Sequence, residues 1–220
     1  LLLKEVHHRV KNNMQVIISL MSLQASRQKD RKLRDVLNEC QNRVRTMALV
    51  HEKLYGSENF TSININNYIR SLIPMLMTSY KIDRKKINVE IDALDTFFNL
   101  NIAIPLAQLV NELLSNVFKH AFLDGTSGRV EISLKPDNER NNWYILRVND
   151  NGAGLPADVN FPEDGNLGFQ LIDALVKQLK GEIFFSGERG VSCVIKFSEN
   201  QSFLLSGIAS GSFPELKNSP

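Results

Sequence analysis

Only two of the 220 residues are cysteine and one is tryptophan, and no apolar run approaches the roughly 18 residues that a helical membrane span requires. Those shortages exclude a disulfide-framed secreted scaffold and a helical span within this chain. Cys40 falls on a helical stripe and Cys193 in a strand-like run, neither with companions at metal-ligand spacing. Both read as buried free thiols, which points to a reducing cytoplasm. The chain also lacks an initiator methionine and a charged-then-apolar leader; Leu1-Leu2-Leu3-Lys4-Glu5 reads as the start of a segment with more protein upstream. Neither a phosphate-loop lysine motif nor a dinucleotide fingerprint is present, so a nucleotide would have to be held in some other way.

What is present is an ordinary 43% apolar fraction and a net charge of +2 that hides an asymmetry. Residues 1–56 hold eleven Lys/Arg against five Asp/Glu, whereas the remainder is acidic on balance. The basic residues are scattered over helical polar positions without interleaved base-stacking groups, which argues against a nucleic-acid partner. A basic helical region is equally suited to steering an acidic protein partner.

Residues 1–58 read as a helical hairpin that turns near Arg27-Gln28-Lys29-Asp30-Arg31. Leu33, Leu37, Cys40, Val44, Met47, His51 and Leu54 recur at alternating steps of four and three, and Val6, Val10, Met14, Ile17 and Met21 make the stripe of the preceding helix. A lone hairpin buries too little apolar surface to stand by itself, so a dimeric four-helix bundle made by two chains is expected. His8, followed at helical spacing by Lys4, Lys11, Gln15 and Ser22, is expected to be exposed, with His7 nearer the apolar side. An imidazole on a stiff helix is a good nucleophile near neutral pH, although any polar helix face also carries histidines without chemistry. Nothing in the residues alone separates His8 from His7.

Residues 59–200 read as an α+β sandwich, with helices covering one face of a mixed, mainly antiparallel sheet. The expected elements are a helix over Ile65–Tyr80 with a bend or break at Pro74, strands at Lys86–Ile91 and Phe97–Leu100, and a helix beginning at Pro105 and reaching Phe118. Strands at Arg129–Leu134 and Trp143–Asn149 follow, then a helix over Phe169–Leu179 and a hairpin of Glu182–Ser186 with Ser192–Phe197. The Ser-, Gly- and Pro-containing tail, 201–220, is expected to be poorly structured.

Four groups of residues in this half carry chemistry. Glu112 and Asn116 are four apart on one helix face, with Lys119 and His120 a turn later. An Asn carbonyl suits Mg2+, which takes hard oxygen ligands alongside phosphate oxygens and waters. Taken alone, the same pair also fits the solvated stripe of an amphipathic helix. Asp150 ends a strand before Gly152 and Gly154, where a carboxylate can accept from the exocyclic amine of adenine and the glycines let backbone approach a flat ligand. Gly165 and Gly168 lead into a helix whose free amides suit phosphates, and the polar, proline-containing loop between Gly154 and Gly168 reads as a short lid.

These segments together resemble the sensor histidine kinases of two-component systems, in the branch whose phosphoacceptor segment reads His-Arg-Val-Lys-Asn, here His8-Arg9-Val10-Lys11-Asn12. The second half resembles the ATP-binding fold shared with gyrase, Hsp90 and MutL-type ATPases. The resemblance covers residues 1 to about 198 and implies that ATP and Mg2+ are the cofactors and that His8 is the phosphorylated residue. It implies Asn116 as the metal ligand, Glu112 as the carboxylate polarising the attacking group or the metal's water, and Lys119 and His120 beside the phosphates and lid. Asp150, Gly152 and Gly154 match the adenine-side glycine box, and Gly165 and Gly168 the phosphate-side one. Ser192 stands in Gly190-Val191-Ser192 where Gly-Thr is usual, and Arg9 follows the histidine where an acidic residue is more common, so the base must lie elsewhere, with Glu112 a candidate.

The implied activity is autophosphorylation followed by transfer to an aspartate on a response-regulator receiver domain, in a homodimer with an upstream sensory domain. Asn12, one turn after His8, is placed to position water for the reverse reaction. The implied setting is cytoplasmic, with a membrane tether elsewhere in the full-length protein left open. Two other readings stay open: a catalytically silent ATP-binding dimerisation scaffold, and a serine kinase of the anti-sigma type.

Overall fold

The computed structural model describes residues 2–55, 62–122, 126–155, 167–187 and 189–200, with backbone alone for 2–8, 50, 51 and 53–55. Helices α1 (Leu2–Arg27) and α2 (Arg31–Tyr55) form the expected hairpin. Asp30 starts the second helix by accepting from the Lys32 amide at 2.8 Å. Gln41 Nε2 donates to the Ile18 carbonyl at 3.1 Å and Lys11 pairs with Glu52 at 2.9 Å, which fixes the antiparallel register.

The remainder is built on a five-stranded sheet in the order β2 (Ile87–Ala93), β4 (Gly128–Pro136), β5 (Trp143–Asp150), β7 (Ser192–Ser198), β6 (Glu182–Ser186). Only the β2–β4 pair is parallel, so the sheet is mixed and mainly antiparallel as expected. Along β4, Val130, Ile132 and Leu134 are buried while the intervening residues are not, and the opposite face carries ion pairs such as Arg129–Glu90 at 2.7 Å. That alternation is how a sheet with one solvated face satisfies both sides.

Three helices cover the buried face: α3 (Ile65–Ser79), α4 (Leu100–Asn116) and α5 (Leu167–Gln178). Phe98, Tyr144 and Phe197 cluster at one end of the core, with Phe98 edge-on to Tyr144 at 4.8 Å. Buried Tyr68 donates its hydroxyl to the Ala107 carbonyl at 3.4 Å, and burial raises its pKa.

Several element boundaries differ from the sequence reading. α4 starts at Leu100 rather than Pro105 because Asn99 caps it, its side chain accepting from the Asn101 and Ile102 amides. Pro105 lies inside that helix, and α3 likewise continues through Pro74 without a break. A two-stranded sheet of β1 (Ser62–Asn64) and β3 (Phe97–Asn99) was not anticipated for the first of its strands. The tail 201–220, the end of the hairpin segment at 56–58 and the part of the lid over 156–166 lie outside the described residues.

α4 is buried almost all round because helices and sheet flank it on one side and α2 on the other. Its last turn gives way to a π-helical turn, Val117–Ala121, in which Val117, Phe118 and Ala121 stay buried while Lys119 and His120 face outward. Such single π turns recur at functional sites, where they re-aim side chains.

Candidate functional site

A cavity of about 400 Å³ opens between α4 with its π turn, the end of β5, and the β6–β7 hairpin. That volume falls within the range of small-ligand sites. Its walls are mainly apolar: Leu113, Val117, Ala121, Val148, Leu155, Phe169, Phe185, Val191 and Cys193. Phe169 of α5 meets Phe185 of β6 edge-on at 6.0 Å, closing one side. Asn116, His120, Asp150 and Gly154 supply the polar atoms and the turn, so four of the residues singled out in the sequence converge here.

Asp150 lines this cavity at the end of β5. Its Oδ1 accepts from the Gly152 amide at 2.8 Å and the Val191 amide at 3.3 Å. Burial raises its pKa, and the two amides oppose that shift. With Oδ1 so occupied, Oδ2 is the oxygen left to address a ligand. Gly154 takes φ +80°, the left-handed region that glycine reaches without strain.

Gly152 also answers to a packing constraint within the protein. A Cβ there would overlap the Ala121 carbonyl oxygen, to which the Ala153 amide donates at 3.0 Å. Its missing side chain thus lets the glycine turn dock on the end of the π turn, tying the turn after Asp150 to the helix that carries Asn116.

Gly190 makes the matching close approach from the other side. Its φ is +81° and a Cβ would collide with the Asp150 carbonyl oxygen. Val191 therefore bonds Asp150 twice: its carbonyl accepts from the Asp150 amide at 2.9 Å, and its own amide donates to the Asp150 side-chain Oδ1 at 3.3 Å. In the sequence Gly190-Val191 stand out through the family resemblance, beside Ser192 where Gly-Thr is usual, and their close approach to the Asp150 strand end is a contact that reading does not contain.

The other anticipated residues are distributed less simply. Ser192 is not on the cavity wall; its hydroxyl donates to Asn149 Oδ1 at 2.7 Å across the β5–β7 pair. Gly168 is buried in the first turn of α5, and Gly165 lies outside the described residues. Cys193 is a buried thiol on the wall, its pKa raised by burial, as the free-thiol reading required. His120 is held below its ordinary pKa by burial and by the charge of Lys119, with Glu39 opposing.

Glu112 is 3% exposed and does not line the cavity. Arg43 of α2 holds both its oxygens, Nε donating to Oε1 at 2.8 Å and Nη2 to Oε2 at 2.9 Å. Burial lowers the Arg43 pKa, but the hydrogen bond and charge of Glu112 outweigh it and the net shift is upward. Lys119 Nζ likewise pairs with Glu39 of α2 at 3.2 Å. His8 is on the helical backbone of α1.

Among the described residues no cluster of three or more His, Cys, Asp or Glu could cage a metal ion. The Asn116 amide on the cavity wall is the hard-oxygen donor that fits a metal arriving on phosphate oxygens, since magnesium keeps waters and takes few protein ligands. No described helix is long and apolar enough to cross a membrane.

Comparison with known proteins agrees with this arrangement. Residues 5–80 match a family described as "Histidine kinase", and residues 101–201 one described as "Histidine kinase-, DNA gyrase B-, and HSP90-like ATPase". The chain is 30% identical over 200 residues to the sensor histidine kinase PdtaS of Mycobacterium tuberculosis, covering 88% of this chain and 38% of that protein. It is 29% identical over 185 residues to blue-light-activated histidine kinase 2 of Erythrobacter litoralis, covering 82% of this chain and 52% of the relative. The solved histidine kinase domain of Erythrobacter litoralis EL346 blue-light activated histidine kinase superposes with a TM-score of 0.65 at 27% identity, covering 89% of this chain and 90% of that one.

The chain thus spans less than two thirds of the curated relatives' length. A histidine-bearing helical hairpin joined to an α+β domain of the ATPase type is the core of a histidine kinase. The chain belongs to the sensor histidine kinases of two-component systems.

Proposed function

We propose that this chain phosphorylates His8 with the γ-phosphate of ATP and passes the group to an aspartate on a response-regulator receiver domain. The observation that carries the reading is Asp150, a carboxylate lining a mainly apolar cavity with one oxygen occupied by backbone amides, in a wall shared with Asn116 of α4. The apolar walls accept a purine, and Oδ2 of Asp150 accepts from its exocyclic amine. Gly154 and Gly168 shape the turn and helix entry that flank the ligand, with Gly165 assigned to the same role from the family pattern.

Phosphates extend from this pocket toward Asn116, His120 and Lys119. When bound, magnesium offsets charge on the transferring group, and Asn116 is the residue that would hold it. Lys119 supplies positive charge there once it leaves Glu39, and Glu112 serves as the carboxylate that orients or deprotonates the acceptor once it leaves Arg43. Ser192 supports the pocket from the adjacent strand through Asn149 rather than touching the ligand. Incubation with γ-labelled ATP and magnesium tests the reaction: an acid-labile, base-stable label is expected. ATP binding without label would support the scaffold reading, and an acid-stable label the serine-kinase reading.

A homodimer formed by the hairpin belongs to the same proposal. Val10, Met14, Ile18, Met21 and Ala25 of α1 are covered at least in part, while Val16 and Leu20 on the same helix are 58% and 57% exposed. Leu23, Leu33 and Val36 continue that uncovered apolar surface. A second hairpin would bury it as a four-helix bundle. Leu20→Asp with Leu23→Asp is expected to give monomers that still bind ATP; light scattering that still reports dimers would place the interface elsewhere.

A further inference from the structure

The hairpin and the nucleotide domain meet through a polar seam. Besides Arg43–Glu112 and Glu39–Lys119, buried Thr46 donates to Asn111 Oδ1 at 2.7 Å, and Ser79 of α3 donates to Asn42 Oδ1 at 2.7 Å. Glu39 also lies 3.6 Å from Arg43, so one carboxylate joins both ion pairs. The two groups that the transfer reaction needs from α4 and its π turn, Glu112 and Lys119, are the ones occupied.

The direction of the seam matters as much as its members. Thr46, Arg43 and Glu39 meet Asn111, Glu112 and Lys119 in that order, so α4 runs antiparallel to α2. The pocket-bearing end of α4 therefore points toward the 27–31 turn of the hairpin. His8 is at the opposite end: the Lys11–Glu52 and Gln41–Ile18 contacts place it level with residues 51–55 of α2. At 1.5 Å of rise per residue, Glu39 and the Lys119 it holds are roughly 20 Å along the axis from His8. A second copy packed in parallel would carry its acceptor at the same level, so the offset applies to transfer within or between chains.

We infer that Glu39 and Arg43 of α2 form an autoinhibitory latch, holding the nucleotide domain on the far half of the hairpin and withholding Glu112 and Lys119 until a change in the hairpin releases them. The inference rests on His8 being the acceptor, as proposed above. The bidentate Arg43–Glu112 pair supplies the geometric specificity of the latch, because a planar fork is met only in one docking. Rotation or bending of α2 by an upstream domain would misalign that fork and free both groups together, a two-state element biased from outside.

The test uses the 220-residue chain and its Glu39→Gln, Arg43→Gln and doubly substituted variants. Arg43→Gln leaves an amide donor beside Glu112, and Glu39→Gln is the milder change at a less buried position, so folding is preserved in at least one variant. Two quantities are measured. The first is the initial rate of His8 labelling, expected to rise by about five-fold or more in the double variant with KM for ATP unchanged. Arg43→Lys, which keeps charge but loses the fork, is expected to fall between.

The second quantity is the distance between spin labels at Gln24→Cys and Lys177→Cys in a Cys40→Ser background. A single docked distance is expected without the latch substitutions and a second population with them. An unchanged distance distribution, or slower labelling in the variants, overturns the latch. A chain that never labels His8 overturns the kinase reading instead, and the distance measurement still decides whether these residues hold the two parts together.

Discussion

His8→Gln is expected to reduce labelling by γ-labelled ATP to background while leaving ATP affinity unchanged. The separation of the two effects follows from placement: His8 is on α1, whereas every wall of the cavity comes from residues beyond 110. Glutamine keeps a helix-compatible polar side chain but has no nucleophilic nitrogen, so the hairpin persists and the acceptor is lost. His7→Gln is expected to retain measurable labelling, and Arg9→Ala to slow transfer without eliminating it. Parallel measurement of labelling and nucleotide binding on the same preparations checks this, and a fall in ATP affinity with His8→Gln would contradict the division of labour between the two regions.

The second large effect is expected at Asp150. In Asp150→Asn the amide oxygen can take over the bonds from Gly152 and Val191, so the loop keeps its shape. The other position becomes an NH2 donor facing the amine of adenine, turning an attraction into a donor–donor clash. Loss of a charged hydrogen bond of about 1.5–3 kcal/mol corresponds to a roughly ten- to hundred-fold weaker ATP affinity. Preference over GTP should fall with it. Asn116→Asp is expected to act differently, adding charge near the phosphates and altering the magnesium dependence while leaving adenine selectivity intact. Titration of both variants with ATP and GTP at several magnesium concentrations separates them; unchanged affinity and selectivity in both would remove the pocket assignment.

Periodicity made most of the architecture legible. The alternation over 129–134 and 143–149, the hairpin strands at 182–186 and 192–197, and the long apolar pattern through Phe118 all correspond to observed elements within a few residues. Where the reading was displaced, a local signal had been outweighed. Pro105 is the stronger start signal in the sequence, yet the Asn99 side chain caps the Asn101 and Ile102 amides and the proline is accommodated within the helix. β1 is three residues long and pairs with a strand more than 30 positions away, so it has no periodic signature of its own.

The site was legible to the extent that its chemistry is local. Asn116, His120, Asp150 and Gly154 follow from their spacing on one helix and one turn, and they share one cavity. Arg43 was counted only among scattered basic residues, because its partner is 69 positions away and nothing in the hairpin's pattern singles it out. The sequence suggests that Gly152 lets the backbone turn and approach a flat ligand; that a side chain there would also strike Ala121 is a contact between turn and helix end that no local pattern shows. Contacts between the two halves of the chain depend on how the halves dock, which neither half's pattern encodes.

Phosphopeptide mapping of the 220-residue chain under non-acidic conditions, after incubation with ATP and magnesium, tests the central claim most directly. A phosphorylated peptide carrying the group on His8 is the result predicted. Phosphate on His7, His51 or His120, or on a serine or threonine hydroxyl, would contradict it.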